Sequence, residues 1–187
     1  MSFAVLLLLS SALVSAPRSD KPLSEIGAFY TTNRTLIVVA QTLGIVAAIV
    51  FAMFISGLSK LAGDVRVKIA GLVVAAAAAV TSIPLILLSF QGADPNPTVV
   101  DLTDLTDALL FAAIAALLGV LATNNALPMW IRGSCVIGAG LTLVRAYLGF
   151  GPVFTTLDVI APFSFVLIVV ALAGWAFRAP TGSHQVA

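Results

Sequence analysis

The stretch LIVVAQTLGIVAAIVFAMFISGL, residues 36–58, decides the fold. It runs without a charge between Arg34 and Lys60, and about 20 mostly apolar residues suffice for a helix to cross the hydrocarbon of a bilayer. The pattern repeats along the chain. Residues 69–93, 108–131 and 159–177 are equally free of charge, with Thr123, Asn124 and Asn125 marking the end of the middle run. Residues 129–148 are long enough to span and hold Arg145 near their end. These stretches predict spans at about 35–59, 69–91, 106–124, 129–148 and 158–177, followed by a polar tail at 179–187.

Composition says the same. Hydrophobic residues make up 60% of the 187-residue chain and charged residues 9%, against roughly 25% in a soluble domain. So few charges cannot cover a water-facing surface, so lipid covers most of it. Nine Lys and Arg against eight Asp and Glu leave a net charge of +1, which gives no electrostatic case for nucleic acid. Cys135 is the single cysteine and His184 the single histidine, in the polar tail. That excludes an internal disulfide, a Cys–Cys metal site and a zinc site with several imidazoles. It also excludes a Ser/His/Asp triad within the membrane. Phosphate-binding glycine loops are absent, and no cofactor is expected.

The N-terminus is open to two interpretations. Residues 3–16 are apolar but short, which suits a signal-peptide core or a clipped span. Val14-Ser15-Ala16 resembles a cleavage site, yet no Lys or Arg precedes the apolar run. The expectation is a retained short helix, accommodated by local thinning of the bilayer. The fold class is then all-α, a polytopic membrane bundle of six transmembrane helices, or five if that segment is a cleaved signal.

Loop charge sets the orientation. Lys60, Arg66 and Lys68 fall in one break, Arg132 in another, and Arg178 after the last span. If every stretch crosses, these lie on one side. Across the membrane, Arg18, Lys21 and Arg34 sit in the first connection, but neither 91–106 nor 149–158 holds a Lys or Arg. The positive-inside rule places break 60–68 and the C-terminus in the cytoplasm, with the chain in a plasma (inner) membrane. Of the eight acids only Asp64 shares that side. Trp130 and Trp175 suit interfacial anchors there.

Two connecting pieces have character. Leu23, Ile26 and Phe29/Tyr30 recur at helical spacing, as in a short amphipathic helix on the outer surface or an ordinary connector. Asp94-Pro95-Asn96-Pro97 reads as a rigid outer turn. Small residues predict helix contacts, at Gly71, Ala75 and Ala79 and again at Ser134 and Gly138. Pro84 and Pro162 each remove a backbone hydrogen bond inside a span and predict kinks.

The candidate chemistry gathers on the outer side. An ionisable residue at membrane depth carries a functional hypothesis by default. Arg145 stands about one turn from the end of its span. Its side chain leans toward the helix N-terminus and so inward, which makes snorkelling difficult and a partner necessary. Arg145 and Asp158 are equidistant from the Gly151-Pro152 turn and should pair, with Asp107 and Asp104 as rival partners. Asp101, Asp104 and Asp107 open the fourth helix in this reading, counting the short segment at 3–16 as the first, and complement its dipole. Their sharper reading is a site for a cation. Arg34 completes the set of ligand or ion-pair candidates.

The segment Glu25-Ile26-Gly27-Ala28-Phe29-Tyr30 leading to Asn33-Arg34, and Leu127-Pro128-Met129-Trp130-Ile131 opening a late span, carry a resemblance. In them the chain resembles a family of small actinobacterial multi-spanning membrane proteins. The resemblance implies a helical bundle and supplies no mechanism. Two functional expectations follow from the residues themselves. One is a non-catalytic accessory protein or subunit with membrane-protein partners in the lipid bilayer. The other is a small transporter or a lipid- or solute-binding protein that uses Arg145 and the outer acids.

Overall fold

A computed structural model describes residues 17, 21–148 and 155–178. The expected short helix at 3–16, the Gly151-Pro152 turn and the tail at 179–187 lie outside the described residues. The described chain is all-helical, and its helices are α1 (Leu23–Thr32), α2 (Arg34–Ala62), α3 (Val65–Phe90), α4 (Pro97–Thr123), α5 (Met129–Leu148) and α6 (Thr155–Arg178). The last five are long and apolar enough to cross a membrane, so the chain is a multi-pass membrane protein.

The spans begin and end where local chemistry allows. Gly63 terminates α2 in the left-handed conformation, φ 64°, which costs glycine nothing. Asp64 then caps α3 by accepting from the Arg66 N–H at 2.9 Å. Asn96 does the same for α4, accepting from the Thr98 N–H at 2.9 Å, and Pro97 occupies the first helical position, where no N–H is needed. This start corrects one expectation. Asn96, and not the acids, opens α4, so Asp101, Asp104 and Asp107 sit on later turns and no acid lies in the first turn. Both prolines fall inside continuous helix, Pro84 in α3 and Pro162 in α6.

Consecutive spans pack side by side, α2 on α3, α3 on α4, α4 on α5 and α5 on α6. Between α2 and α6 the rings of Phe51 and Phe165 meet edge-on, centroids 5.8 Å apart. One core cluster runs through all five spans and includes Phe51, Ile55, Val67, Phe111, Leu118, Ile131, Cys135, Phe165 and Leu172. Close approach is made at glycines, as packing in lipid requires. A Cβ at Gly71 would collide with the Ile55 side chain of α2, and one at Gly138 would meet Ile168 of α6 and Leu118 of α4. Ala75 is buried with Gly71, as expected. On α5 the buried companions of Gly138 are Cys135 and Thr142. Ser134, one turn before Gly138, is half-buried, and its hydroxyl bonds the Trp130 carbonyl of its own helix at 2.9 Å.

Helix α1 does not cross. Ile26, Gly27 and Tyr30 are buried while Leu23 is 42% exposed, so its inner face is narrower than the sequence spacing implies. It lies over the end of the bundle where α2 begins and α3 finishes. Ile26 and Tyr30 join Ile37, Leu88 and Val100 in a second, smaller core. Gly27 backs onto the Ala93 carbonyl and the Pro95 ring of the α3–α4 turn, with no room for a Cβ.

Polar links tie the opposite end. The side-chain amide of Asn124, 5% exposed, donates to the Ala62 carbonyl at 3.4 Å and to Asp64 Oδ2 at 3.5 Å. Its own Oδ1 accepts from the Ala126 N–H at 2.8 Å. The α2–α3 and α4–α5 turns are thereby joined at one end. Arg132 adds a bond from Nε to the Ala122 carbonyl at 2.9 Å, satisfying an acceptor at the end of α4 that the helix itself leaves open.

Candidate functional site

Arg145, in the last turn of α5, is the centre of the site. Its Nη2 donates to Asp107 Oδ2 of α4 at 2.8 Å. Its Nε lies 2.6 Å from Asp158 Oδ1 of α6. The Nε–H is not aligned for a hydrogen bond to that oxygen, so the second contact is a close approach of opposite charges. The guanidinium carbon also stands 4.9 Å from the centroid of the Phe111 ring. One cation thus holds two carboxylates and a ring from two neighbouring helices.

The sequence positions every part. Asp107 and Phe111 are four apart on α4 and share a face. The Arg145 side chain leans back toward the N-terminus of α5, which carries it away from the nearer membrane surface and down onto α4. There it meets Asp107 first and Phe111 one turn deeper. Asp158 stands in the first turn of α6, where a carboxylate complements the positive end of the helix.

Arg145 is shielded, its side chain 15% exposed, while those of Asp107 and Asp158 are 42% and 30% exposed. Among the described residues the group sets two carboxylates against one guanidinium, with the carboxylates on the more open side. In a medium this heterogeneous an ion pair survives only when its groups are held in contact, and here three helices hold them.

The remaining candidates differ in place. Asp104 stands one turn before Asp107 on α4, near enough for its charge to act both on Asp107 and on Tyr30 of α1. Burial pushes the Tyr30 phenol up to about 12, and the negative charge of Asp104 adds to the rise. Asp101 is exposed. Among the described residues no three His, Cys, Asp or Glu side chains are grouped so as to hold a metal ion. The three-residue spacing explains this, since it carries successive acids around the helix. Arg34 belongs elsewhere, with its guanidinium carbon 4.0 Å from the centroid of the Phe90 ring, where α2 begins and α3 ends.

Two contributors escaped the sequence. Phe111 reads there as one more apolar residue, and its spacing of four from Asp107 is the signal that it shares the site. Tyr30 reads as part of an amphipathic face. Only the fold over Asp104 makes it part of the acidic end.

Comparison with known protein families, with curated proteins and with solved structures finds no match. What the chain does therefore has to be argued from its own residues.

Proposed function

We propose that this chain is a non-catalytic, multi-pass subunit of a larger membrane complex, with Arg145 as the clamp that fixes its last three spans. The observation that carries this reading is the occupancy of Arg145. A side chain that is contacted by Asp107, Asp158 and Phe111 together has its charge engaged within the protein, with the bond from Nη2 to Asp107 as the directional contact. The interior between the two ends points the same way. Buried Thr142 and Ser82 bond the carbonyls of Gly138 and Ala78 on their own helices, which spends their polarity locally.

Partner binding has a natural surface. On α5, Gly133 and Gly140 are exposed, and a Cβ at either would meet nothing within 4 Å. Small residues seven apart on one helix face let a second helix approach closely. The decisive experiment is co-purification of the tagged chain from its native membrane in mild detergent. A stoichiometric membrane-protein partner, lost on Gly133→Leu with Gly140→Leu, is the expected result. A monodisperse monomer in every mild detergent refutes the subunit reading.

Transport or solute binding is the competing reading, and one observation favours it. Asp107 stands in a group with a second carboxylate and keeps 42% of its side chain exposed, where a cation could reach it. A bound cationic solute in the purified protein, lost on Asp107→Asn, would support this reading over the first.

The membrane is a plasma (inner) membrane in this proposal, with the Lys60–Arg66–Lys68 turn and the C-terminus in the cytoplasm. The support is the cluster of basic residues flanking that turn. In a Cys135→Ser background, an Asp64→Cys variant should resist an impermeant thiol reagent added to intact cells and react after permeabilisation. Labelling in intact cells overturns the orientation.

A further inference from the structure

The end of the bundle opposite Arg145 carries a second pattern. Among the described residues it holds Lys60, Arg66, Lys68, Arg132 and Arg178 against Asp64 alone, five cations to one carboxylate. The carboxylate is spent internally. Asp64 caps α3 and takes the Arg66 guanidinium at 2.9 Å, and the Arg66 side chain lowers its pKa and keeps it ionised. Lys60 and Lys68 stand four residues before and four after Asp64, on the two helices that the turn joins, and both are exposed.

Their neighbours decide what the cations face. Leu61, Val65 and Ile69 are 44%, 66% and 59% exposed, interleaved with Lys60, Arg66 and Lys68 along the same hairpin. A surface for a soluble polyanion would set its cations among polar groups. A surface that sets each cation beside an exposed aliphatic side chain matches the boundary where acyl chains meet phosphate. Trp130, 62% exposed near the start of α5 at the same end of the bundle, is the residue type that favours the same depth.

We propose that the α2–α3 hairpin, through Lys60 and Lys68, binds the headgroup of an anionic phospholipid, with Leu61, Val65 and Ile69 against its acyl chains. Arg66 takes part as a neutral pair with Asp64, orienting the turn. The inference does not rest on the subunit reading, since either function leaves this end at the bilayer surface.

The test uses the intact chain in micelles containing equimolar phosphatidylglycerol and phosphatidylcholine with identical acyl chains, with bound lipid counted by native mass spectrometry. Phosphatidylglycerol should be enriched. Lys60→Gln and Lys68→Gln should each reduce the enrichment about fivefold, equivalent to about 1 kcal/mol per lysine. Both side chains are exposed, so the variants should fold, and an unchanged thermal midpoint verifies it. Lys21→Gln with Arg34→Gln, at the other end, should leave the enrichment as it was. Equal retention of the two lipids, or enrichment untouched by the lysine variants, overturns the proposal. So does loss of the enrichment to millimolar inorganic phosphate, which would identify a site for free phosphate.

Discussion

Replacing Arg145 with methionine keeps most of the side-chain volume and removes the charge. Asp107 and Asp158 then confront each other with no cation between them, and the Phe111 ring loses its guanidinium. Breaking a fully buried ion pair by removing one partner costs about 3–5 kcal/mol. The two carboxylates here are 42% and 30% exposed, so solvent relieves part of that. The lost ring contact adds about 0.5–1 kcal/mol. A net cost of about 2–3 kcal/mol follows, or a fall in thermal midpoint of about 5–10 °C for a chain of this size. Unfolding in a fixed detergent, followed by circular dichroism or intrinsic fluorescence, measures it. Asp107→Asn and Asp158→Asn should each cost less than Arg145→Met, because each leaves the guanidinium one carboxylate. The triple variant Arg145→Met, Asp107→Asn, Asp158→Asn should be more stable than Arg145→Met alone, since no uncompensated charge remains. The swap Arg145→Asp with Asp158→Arg should recover little, because it sets a carboxylate opposite Asp107. If Arg145→Met leaves the midpoint unchanged, or if the Arg145 and Asp158 losses simply add, the clamp is not an energetic unit. Arg145 would then be available to a ligand.

Glycine positions should rank by what a methyl group meets. Gly27→Ala meets the Ala93 carbonyl, which cannot rotate away, and should cost about 1–3 kcal/mol through lifting of α1. Gly138→Ala meets only the tips of the Ile168 and Leu118 side chains and should cost less than Gly27→Ala. Gly133→Ala meets open space and should leave the midpoint unchanged or higher. A Gly133 loss equal to the Gly27 loss would contradict the packing described. In a Tyr147→Phe background, absorbance of the phenolate should place the Tyr30 titration near pH 12, and Asp104→Asn should lower it while leaving most of the elevation, because burial is the larger cause. A folded-state value above the unfolded value of about 10 means that Tyr30 contributes its full stability below pH 10 and loses it as pH rises toward 12. Ionisation near pH 10 with the helices intact would show that Tyr30 is not packed as described.

The spans were legible because lipid leaves few alternatives. A charge-free run of 20 or more residues must satisfy its backbone internally, and a helix does that. The helix ends were less legible. Residues 65–68 and 97–105 carry charges or polar groups that a search for apolar runs discards, yet Asp64 and Asn96 cap the helices that contain them. Hydropathy locates the membrane, whereas capping locates the helix. The same distinction explains the acids of α4. They look like first-turn residues only when the helix is taken to begin at the apolar run. Symmetry about the 151–152 turn brought Arg145 and Asp158 together correctly. Asp107 could be named as a rival partner but not as a simultaneous one, because nothing in a linear chain says which face α4 turns toward α5.

The polar contacts of this bundle are concentrated at its two ends, and that placement has a physical reason. Within the hydrocarbon, aliphatic side chains gain little by choosing protein over lipid, so packing at Gly71 and Gly138 fixes distance more than partner order. Directional groups are needed to fix order, and they cost least near the surfaces, where water or headgroups can complete their coordination. At one end Arg145 binds α4 to α5 and α6, and α1 packs on the end of α3 and the start of α2. At the other, Asn124 joins the α2–α3 turn to the α4–α5 turn, and Arg132 ties α5 to the end of α4. Each span from α2 to α5 is thereby linked by a polar contact to a non-sequential or neighbouring element, while α6 joins the bundle through apolar packing and, as its polar link, Asp158. Helix α6 is thus the span most exposed to loss of Arg145. In the Arg145→Met variant its separation from α5 should precede unfolding of the other helices.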